Sequence, residues 1–139
     1  MRLTWRDGVA TVSVAAAGGL YALWLTGTGM AGTSTRVLGA IVFALGWVGC
    51  TSNQAAMAEV FGVGAPRRAP MGYVVMASII GAVALVAGVI TVVTGSEAML
   101  ATLVIAMVVL WAMSTVRHLI AGQAPRHSLA FHDPVGRTA

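Results

Sequence analysis

The chain has 139 residues, of which 58% are hydrophobic and 9% are charged, and its mean hydropathy is +0.89. Soluble globular domains carry about 25% charged residues, so this chain lacks the polar groups that would cover a water-exposed surface. The net charge of +4 comes from eight basic residues, all arginine, set against four acidic ones. These arginines are scattered near the ends of apolar stretches, which favours contact with anionic lipid headgroups over binding of nucleic acid.

Four apolar stretches dominate the chain, and each is about long enough to cross a bilayer. About 20 helical residues, at roughly 1.5 Å rise each, match a hydrocarbon core of about 30 Å. The sequence therefore predicts an all-α integral membrane four-helix bundle with short connections in residues 1–122. A loose, polar cytoplasmic tail is expected over residues 123–139. The expected spans lie near residues 9–26, 37–56, 73–94 and 98–119.

The first stretch, residues 9–26, has features of a cleaved signal peptide because Arg2 and Arg6 precede it. It is longer than a usual signal core and carries Tyr21 and Trp24 near its far end, so we expect it to be retained as a span. Small residues recur along it at steps of three and four, which predicts a helix-packing seam. These residues are Gly8, Thr11, Ala15, Gly18 and Ala22.

The second stretch, residues 37–56, ends in the main polar cluster of the chain. Amide side chains inside hydrocarbon cost free energy unless they are paired, so we expect them to bond another helix or to mark the end of the span. The alternative is a small polar pocket in which Glu59 is a proton or cation site. The cluster consists of Thr51, Ser52, Asn53, Gln54 and Glu59. A stripe along the same helix consists of Gly39, Gly46, Gly49, Asn53 and Ala56. Trp47 in this span and Trp111 in the fourth are interpreted as packing residues.

The third stretch, residues 73–94, carries the clearest packing seam. Lipid tails are as apolar as leucine, so helices associate in a bilayer where small residues allow their backbones to approach closely. Steps that alternate between four and three residues place such positions on one side of a helix, as in a left-handed crossing. The seam consists of Ala77, Gly81, Ala84, Gly88, Thr91 and Gly95.

The arginines also predict the orientation in the membrane, because positive residues mark the cytoplasmic side. They precede the first span, lie between the second and third, and follow the fourth, which places both termini in the cytoplasm. Arg36 is on the other side and is expected to extend to headgroups there. Arginine in place of lysine, with much Ala, Gly and Val, is typical of GC-rich bacteria, so we expect a bacterial inner membrane. The arginines expected to contact lipid headgroups are Arg2, Arg6, Arg67, Arg68 and Arg117.

No cluster of residues in the sequence specifies a reaction, a cofactor or a metal ion. The four acidic residues are far apart in the chain, and no nucleophile motif or phosphate-binding glycine loop is present. Cys50 and Met57 share a helical face and are soft ligands that copper(I) would accept, but no further thiolate accompanies them. His118 ends the fourth span, and the other histidines follow it, so we interpret them as interfacial or solvated.

The sequence thus favours a non-catalytic membrane protein that serves as an accessory, scaffold or self-associating subunit. Its expected partners are anionic lipids and another membrane protein or a second copy of the chain, with no cofactor. The alternative is a small oligomeric transporter or channel that uses residues 51–54 and Glu59. A membrane enzyme or redox subunit is a third class, and we regard it as the weakest because the chain offers no reactive site.

Overall fold

A computed structural model describes residues 5–30, 32–52 and 70–121, with the backbone alone at residues 5–7, 52 and 118–121. Over these ranges the chain forms four α-helices and no strand, which confirms the expected all-α architecture. The end of the second predicted span, residues 53–56, and the tail at 123–139 lie outside the described residues. The helices are α1 (Trp5–Leu25), α2 (Thr35–Ser52), α3 (Met71–Thr94) and α4 (Glu97–Ala121).

The connection between α3 and α4 is a two-residue turn that forces an antiparallel hairpin. Gly95 adopts a left-handed conformation with φ of 74°, which glycine reaches without the steric cost of a Cβ. Its backbone N–H donates to the Thr91 carbonyl at 2.8 Å, and this bond closes the last turn of α3. The Thr94 hydroxyl accepts a bond from the backbone N–H of Ser96 at 3.2 Å.

The connection between α1 and α2 lies at the same end of the bundle and is held to α1 by an aromatic side chain. Trp24 donates its indole N–H to the Thr33 carbonyl at 3.3 Å, and its ring stacks on Tyr21 with 6.2 Å between centroids. Gly27, Gly29 and Gly32 have positive φ angles, which allow the tight path of this loop. We call this end of the bundle the turn end.

Contacts between helices show an up-down-up-down bundle. Gly49 of α2 faces Ser13 of α1, and Gly39 of α2 faces Thr91 of α3, so α2 is antiparallel to both neighbours. α4 returns to α1, where Trp111 donates to the Thr11 hydroxyl at 3.2 Å. α2 also contacts α4 across the bundle, so α2 and α4 each touch all three other helices.

The buried core lies toward the turn end. The side chains of Leu38, Val42 and Leu100 are fully buried. Thr91 is also fully buried, and its hydroxyl donates to the Ala87 carbonyl of its own helix at 2.7 Å. Such a bond satisfies a buried hydroxyl without water or a partner helix. The other core residues are Ala17, Ala87, Leu103, Val104 and Met107.

Among the described residues, three helices are long and apolar enough to cross a membrane, namely Gly8–Leu25, Met71–Thr94 and Glu97–Arg117. The apolar part of α2, Thr35–Thr51, is slightly shorter. Only 11–28% of the residues in the three long segments are buried within the bundle. Soluble monomers rarely expose contiguous apolar patches of more than a few hundred Å², so this surface has the character of a membrane protein.

Candidate functional site

The polar cluster at the end of α2 is only partly within the described residues. Thr51 is exposed, and its hydroxyl donates to the carbonyls of Trp47 and Val48 at 3.0 and 3.2 Å. Ser52 is the last residue of α2. Asn53, Gln54 and Glu59 lie outside the described residues. The interhelical contact and the polar pocket therefore both stay predictions.

The seam predicted on α3 lies against α2 in its half nearer the turn end. Gly88 is buried, and a Cβ built there would come 2.6 Å from Cε2 and 3.2 Å from Cγ of Phe43. Thr91 is buried against Gly39, and Gly95 faces the aliphatic part of Arg36. A Cβ built at Gly81 would meet no described atom within 4 Å. Ala77, Gly81, Ala84 and Gly95 are half-buried.

The three glycines of α2 each face a different helix. A Cβ at Gly39 would lie 3.3 Å from the Thr91 Cβ of α3, and one at Gly46 would lie 3.2 Å from the Met107 sulfur of α4. At Gly49, the corresponding distance to the Ser13 Cβ of α1 is 3.6 Å. Because glycine has no side chain, these three positions allow the other helices to pack closely around α2.

Most of the stripe of small residues expected on α1 does not pack inside the bundle. That expectation is therefore wrong for a single copy of the chain except at Thr11, which accepts a bond from Trp111 of α4. Thr11, Ala15 and Ala22 are exposed, and a Cβ at Gly8 or Gly18 would meet no described atom within 4 Å. α1 instead buries another face, on which Ser13 packs against Gly49 of α2 and Leu20 and Trp24 pack against the core. That face consists of Ser13, Ala17, Leu20 and Trp24, spaced by four, three and four residues.

The outward face of α1 is defined here by six positions that alternate at steps of four and three. Five of its members are exposed and Gly8 is half-buried. All six are uncharged, and four are glycine or alanine. The positions are Gly8, Val12, Ala15, Gly19, Ala22 and Thr26.

This outward face differs from the exposed faces of α3 and α4, which carry large apolar side chains. α3 exposes Val83, Val86 and Ile90, and α4 exposes Ile105 and Val109. A glycine inside a helix costs about 1 kcal/mol relative to alanine. At the glycines of α2, close contacts with other helices explain why glycine occurs despite this cost. At Gly19 they do not, because a Cβ there would meet no described atom within 4 Å.

The two tryptophans inside their spans have different environments. Trp111 is half-buried and links α4 to α1 through its bond to Thr11. Trp47 is 62% exposed, so its interpretation as a packing residue is wrong. α2 presents it to the outside because the side of that helix that meets the bundle is occupied by glycines and by Leu38 and Val42.

Two arginines lie at opposite ends of the bundle. The guanidinium carbon of Arg117 is 4.8 Å from the centroid of the Tyr73 ring, which is within the range of a cation–π contact. Arg36 is exposed at the turn end beside Gly95. Arg6 lies in α1, where the backbone alone is described, and Arg2, Arg67 and Arg68 lie outside the described residues.

Within the described ranges, no group of three or more His, Cys, Asp or Glu residues is arranged to hold a metal ion. No family model, curated protein or solved structure matched this chain.

Two features of these surfaces were missed by the sequence analysis. Gly19 was not included in the α1 stripe, although steps of four from Ala15 and of seven from Val12 would have found it. The Tyr73–Arg117 contact joins residues that are far apart in the sequence, but both stand at the expected inner ends of adjacent spans. Aromatic and basic residues at one interface are the signal that could have paired them.

Proposed function

We propose that the chain is a multi-pass protein of the bacterial inner membrane that works by helix association rather than by catalysis. Of the accessory, scaffold and self-associating roles, self-association is the one that the surface supports best. In this proposal, two copies of the chain pack through the outward faces of α1. The observation that carries the proposal is the row of small, exposed residues opposite the buried face of that helix.

The membrane location is supported by the length, composition and exposure of the helices. Three described helices have the length and composition of membrane spans, and most of their residues are left uncovered by the bundle. The described hydroxyls of Thr94 and Thr102 donate to carbonyls of their own helices, so they do not require water. The distribution of arginines in the sequence favours cytoplasmic termini.

The outward face is suited to a second copy of itself for two reasons. Two helices in lipid gain contact mainly where small residues let the backbones approach, and Ala15 and Gly19 have the four-residue spacing typical of such contacts. A twofold dimer also requires a surface that is complementary to itself. A flat, uncharged row of small residues meets this requirement, because it carries no charge that would repel its own copy.

The test is the substitution Gly19→Leu, followed by fluorescence energy transfer between labelled copies in liposomes. We expect the transfer signal to fall to the level of a monomer, because a leucine side chain would hold the two backbones apart. The fold of each copy should be retained, since the new side chain meets no described atom near its Cβ. Leucine is also a better helix former than glycine.

The matched control is Ala82→Leu, an exposed small residue on α3, which should leave the energy transfer unchanged. A second measurement uses Cys50→Ala, which removes the single cysteine of the chain. In that background, cysteine at Ala15 should form a disulfide between copies, and cysteine at the buried Ala17 should not. A wild-type chain that is monomeric in liposomes would overturn self-association, as would equal effects of the two leucine substitutions.

A further inference from the structure

We propose that α2 and α3 form a hinged pair, which is in close contact near the turn end and closes over the rest of its length. In the closed state, Cys50 of α2 packs on Gly81 of α3. The described structure is the open state, and the contact between Phe43 and Gly88 is the pivot. Closing occurs within a single copy of the chain, so it does not depend on the association of copies proposed above.

The glycine contacts between α2 and α3 lie in the half of the pair nearer the turn end. A Cβ built at Gly39 would lie 3.3 Å from the Thr91 Cβ, and one at Gly88 would lie 2.6 Å from Cε2 of Phe43. Seven residues before Gly88 on α3, a Cβ built at Gly81 would meet no described atom within 4 Å. The two helices are therefore in close contact at Gly88, whereas no described atom of α2 reaches Gly81.

The side of α2 that faces α3 shows the same change along the helix. Phe43 packs against Gly88, and the residues that follow Phe43 on this side, at steps of four and seven, are Trp47 and Cys50. Trp47 is 62% exposed, and Cys50 is also exposed. The opening is thus seen from both helices, on α3 at Gly81 and on α2 at two uncovered side chains.

Other helix pairs remain in contact at the same distance from the turn end. At roughly 1.5 Å of rise per residue, Gly81 lies about 20 Å from that end. At this level a Cβ built at Gly49 of α2 would lie 3.6 Å from the Ser13 Cβ of α1. α4 also contacts α1 there, through the bond from Trp111 to Thr11. The opening therefore lies between α2 and α3, and the bundle as a whole does not spread.

Helical periodicity places Cys50 opposite Gly81 when the pair closes. Because α2 and α3 are antiparallel, seven residues forward from Phe43 and seven residues back from Gly88 lead to the same level and to the same side of each helix. Both residues reached in this way are small, and small residues let two helix backbones approach closely. Closing also accounts for the glycine at position 81, which destabilises a helix relative to alanine.

The closed state is the minor one, and minor states of this kind are populated at about 0.1–10%. A disulfide traps such a state. Across a disulfide the two Cβ atoms are about 3.8 Å apart, whereas no described atom of Cys50 lies within 4 Å of a Cβ built at Gly81. A bond between cysteines at these two positions therefore forms only when the helices approach each other.

The test is Gly81→Cys in the full chain, which keeps its native Cys50, in neutral detergent. Oxidation by air with copper phenanthroline is expected to join the two cysteines within one copy. The measurement is the loss of thiols that react with a maleimide, and peptide mass spectrometry of the band of monomer size identifies the internal disulfide. The fold should be retained before oxidation, because a Cβ at position 81 meets no described atom within 4 Å.

Ala82→Cys is the matched control, because Ala82 is exposed, follows Gly81 directly and lies on another side of α3. It should keep most of both thiols under the same oxidation, since closing does not bring Ala82 toward Cys50. Equal loss of thiols in the two variants would show general mobility of the helices and would overturn the hinge. A Gly81→Cys chain that forms no internal disulfide would overturn it as well.

Discussion

Gly88→Leu is expected to destabilise the bundle by about 3 kcal/mol, because it places a large side chain where α2 and α3 are in closest contact. A Cβ alone would come 2.6 Å from Cε2 of the Phe43 ring and closer still to its Cδ2. Gly88 is buried in the half of the bundle that contains the core, so the added atoms cannot turn away from the bundle. Loss of detergent stability, followed as the midpoint of thermal unfolding, is the measurement.

Gly81→Leu provides the control on the same helix, seven residues earlier and in the same predicted seam. A Cβ there meets no described atom within 4 Å. The unfolding free energy should therefore not fall, and it should rise by up to about 1 kcal/mol because leucine favours a helix over glycine. If both leucines lowered the unfolding midpoint equally, the loss would reflect helix surface in general. The close contact with Phe43 would then not be the cause of the lost stability.

Gly39→Ala is expected to lower the free energy of unfolding by about 1–2 kcal/mol, although alanine favours a helix by about 1 kcal/mol over glycine. The added methyl would lie 3.3 Å from the Thr91 Cβ and closer still to its γ-methyl group. Thr91 cannot easily move away, because it is fully buried and its hydroxyl is bonded to the Ala87 carbonyl. Equilibrium unfolding in mixed micelles would measure the loss.

A second substitution tests this cause directly. Thr91→Ser removes the methyl group that opposes Gly39 and keeps the hydroxyl that bonds the helix. The pair Gly39→Ala and Thr91→Ser should therefore recover at least about 1 kcal/mol relative to the sum of the single changes. Strict additivity would refute the contact. Gly19→Ala is the control for helix propensity, and it should stabilise the chain by up to about 1 kcal/mol.

The α3 seam shows how far spacing alone can predict packing. A four-and-three pattern of small residues identified the side of α3 that lies against α2 at Gly88 and Thr91. Gly81 belongs to the same pattern, but a Cβ built there would meet no described atom within 4 Å. Spacing determines which residues share a side of a helix, but the distance to the next helix depends on how the axes cross, and no local pattern contains that angle.

The α1 stripe shows where spacing fails. Small residues permit a close approach by any helix, whether it belongs to the same chain or to another copy. α1 turns its bulkier row, which includes Leu20 and Trp24, toward the core, and this leaves Ala15 and Gly19 on the outside. No local feature of α1 determines which of these two faces is buried, because the choice depends on how each face fits beside α2.

The sequence by itself determined that the described residues form four apolar helices, because helix length and hydropathy are local properties of the chain. The tertiary structure alone decided which side of each helix is buried. It also decided that α2 and α4 contact each other across the bundle, and that Tyr73 meets Arg117. These outcomes depend on the fit between surfaces that are distant in the chain, and that fit is set by side-chain volume and crossing geometry rather than by periodicity.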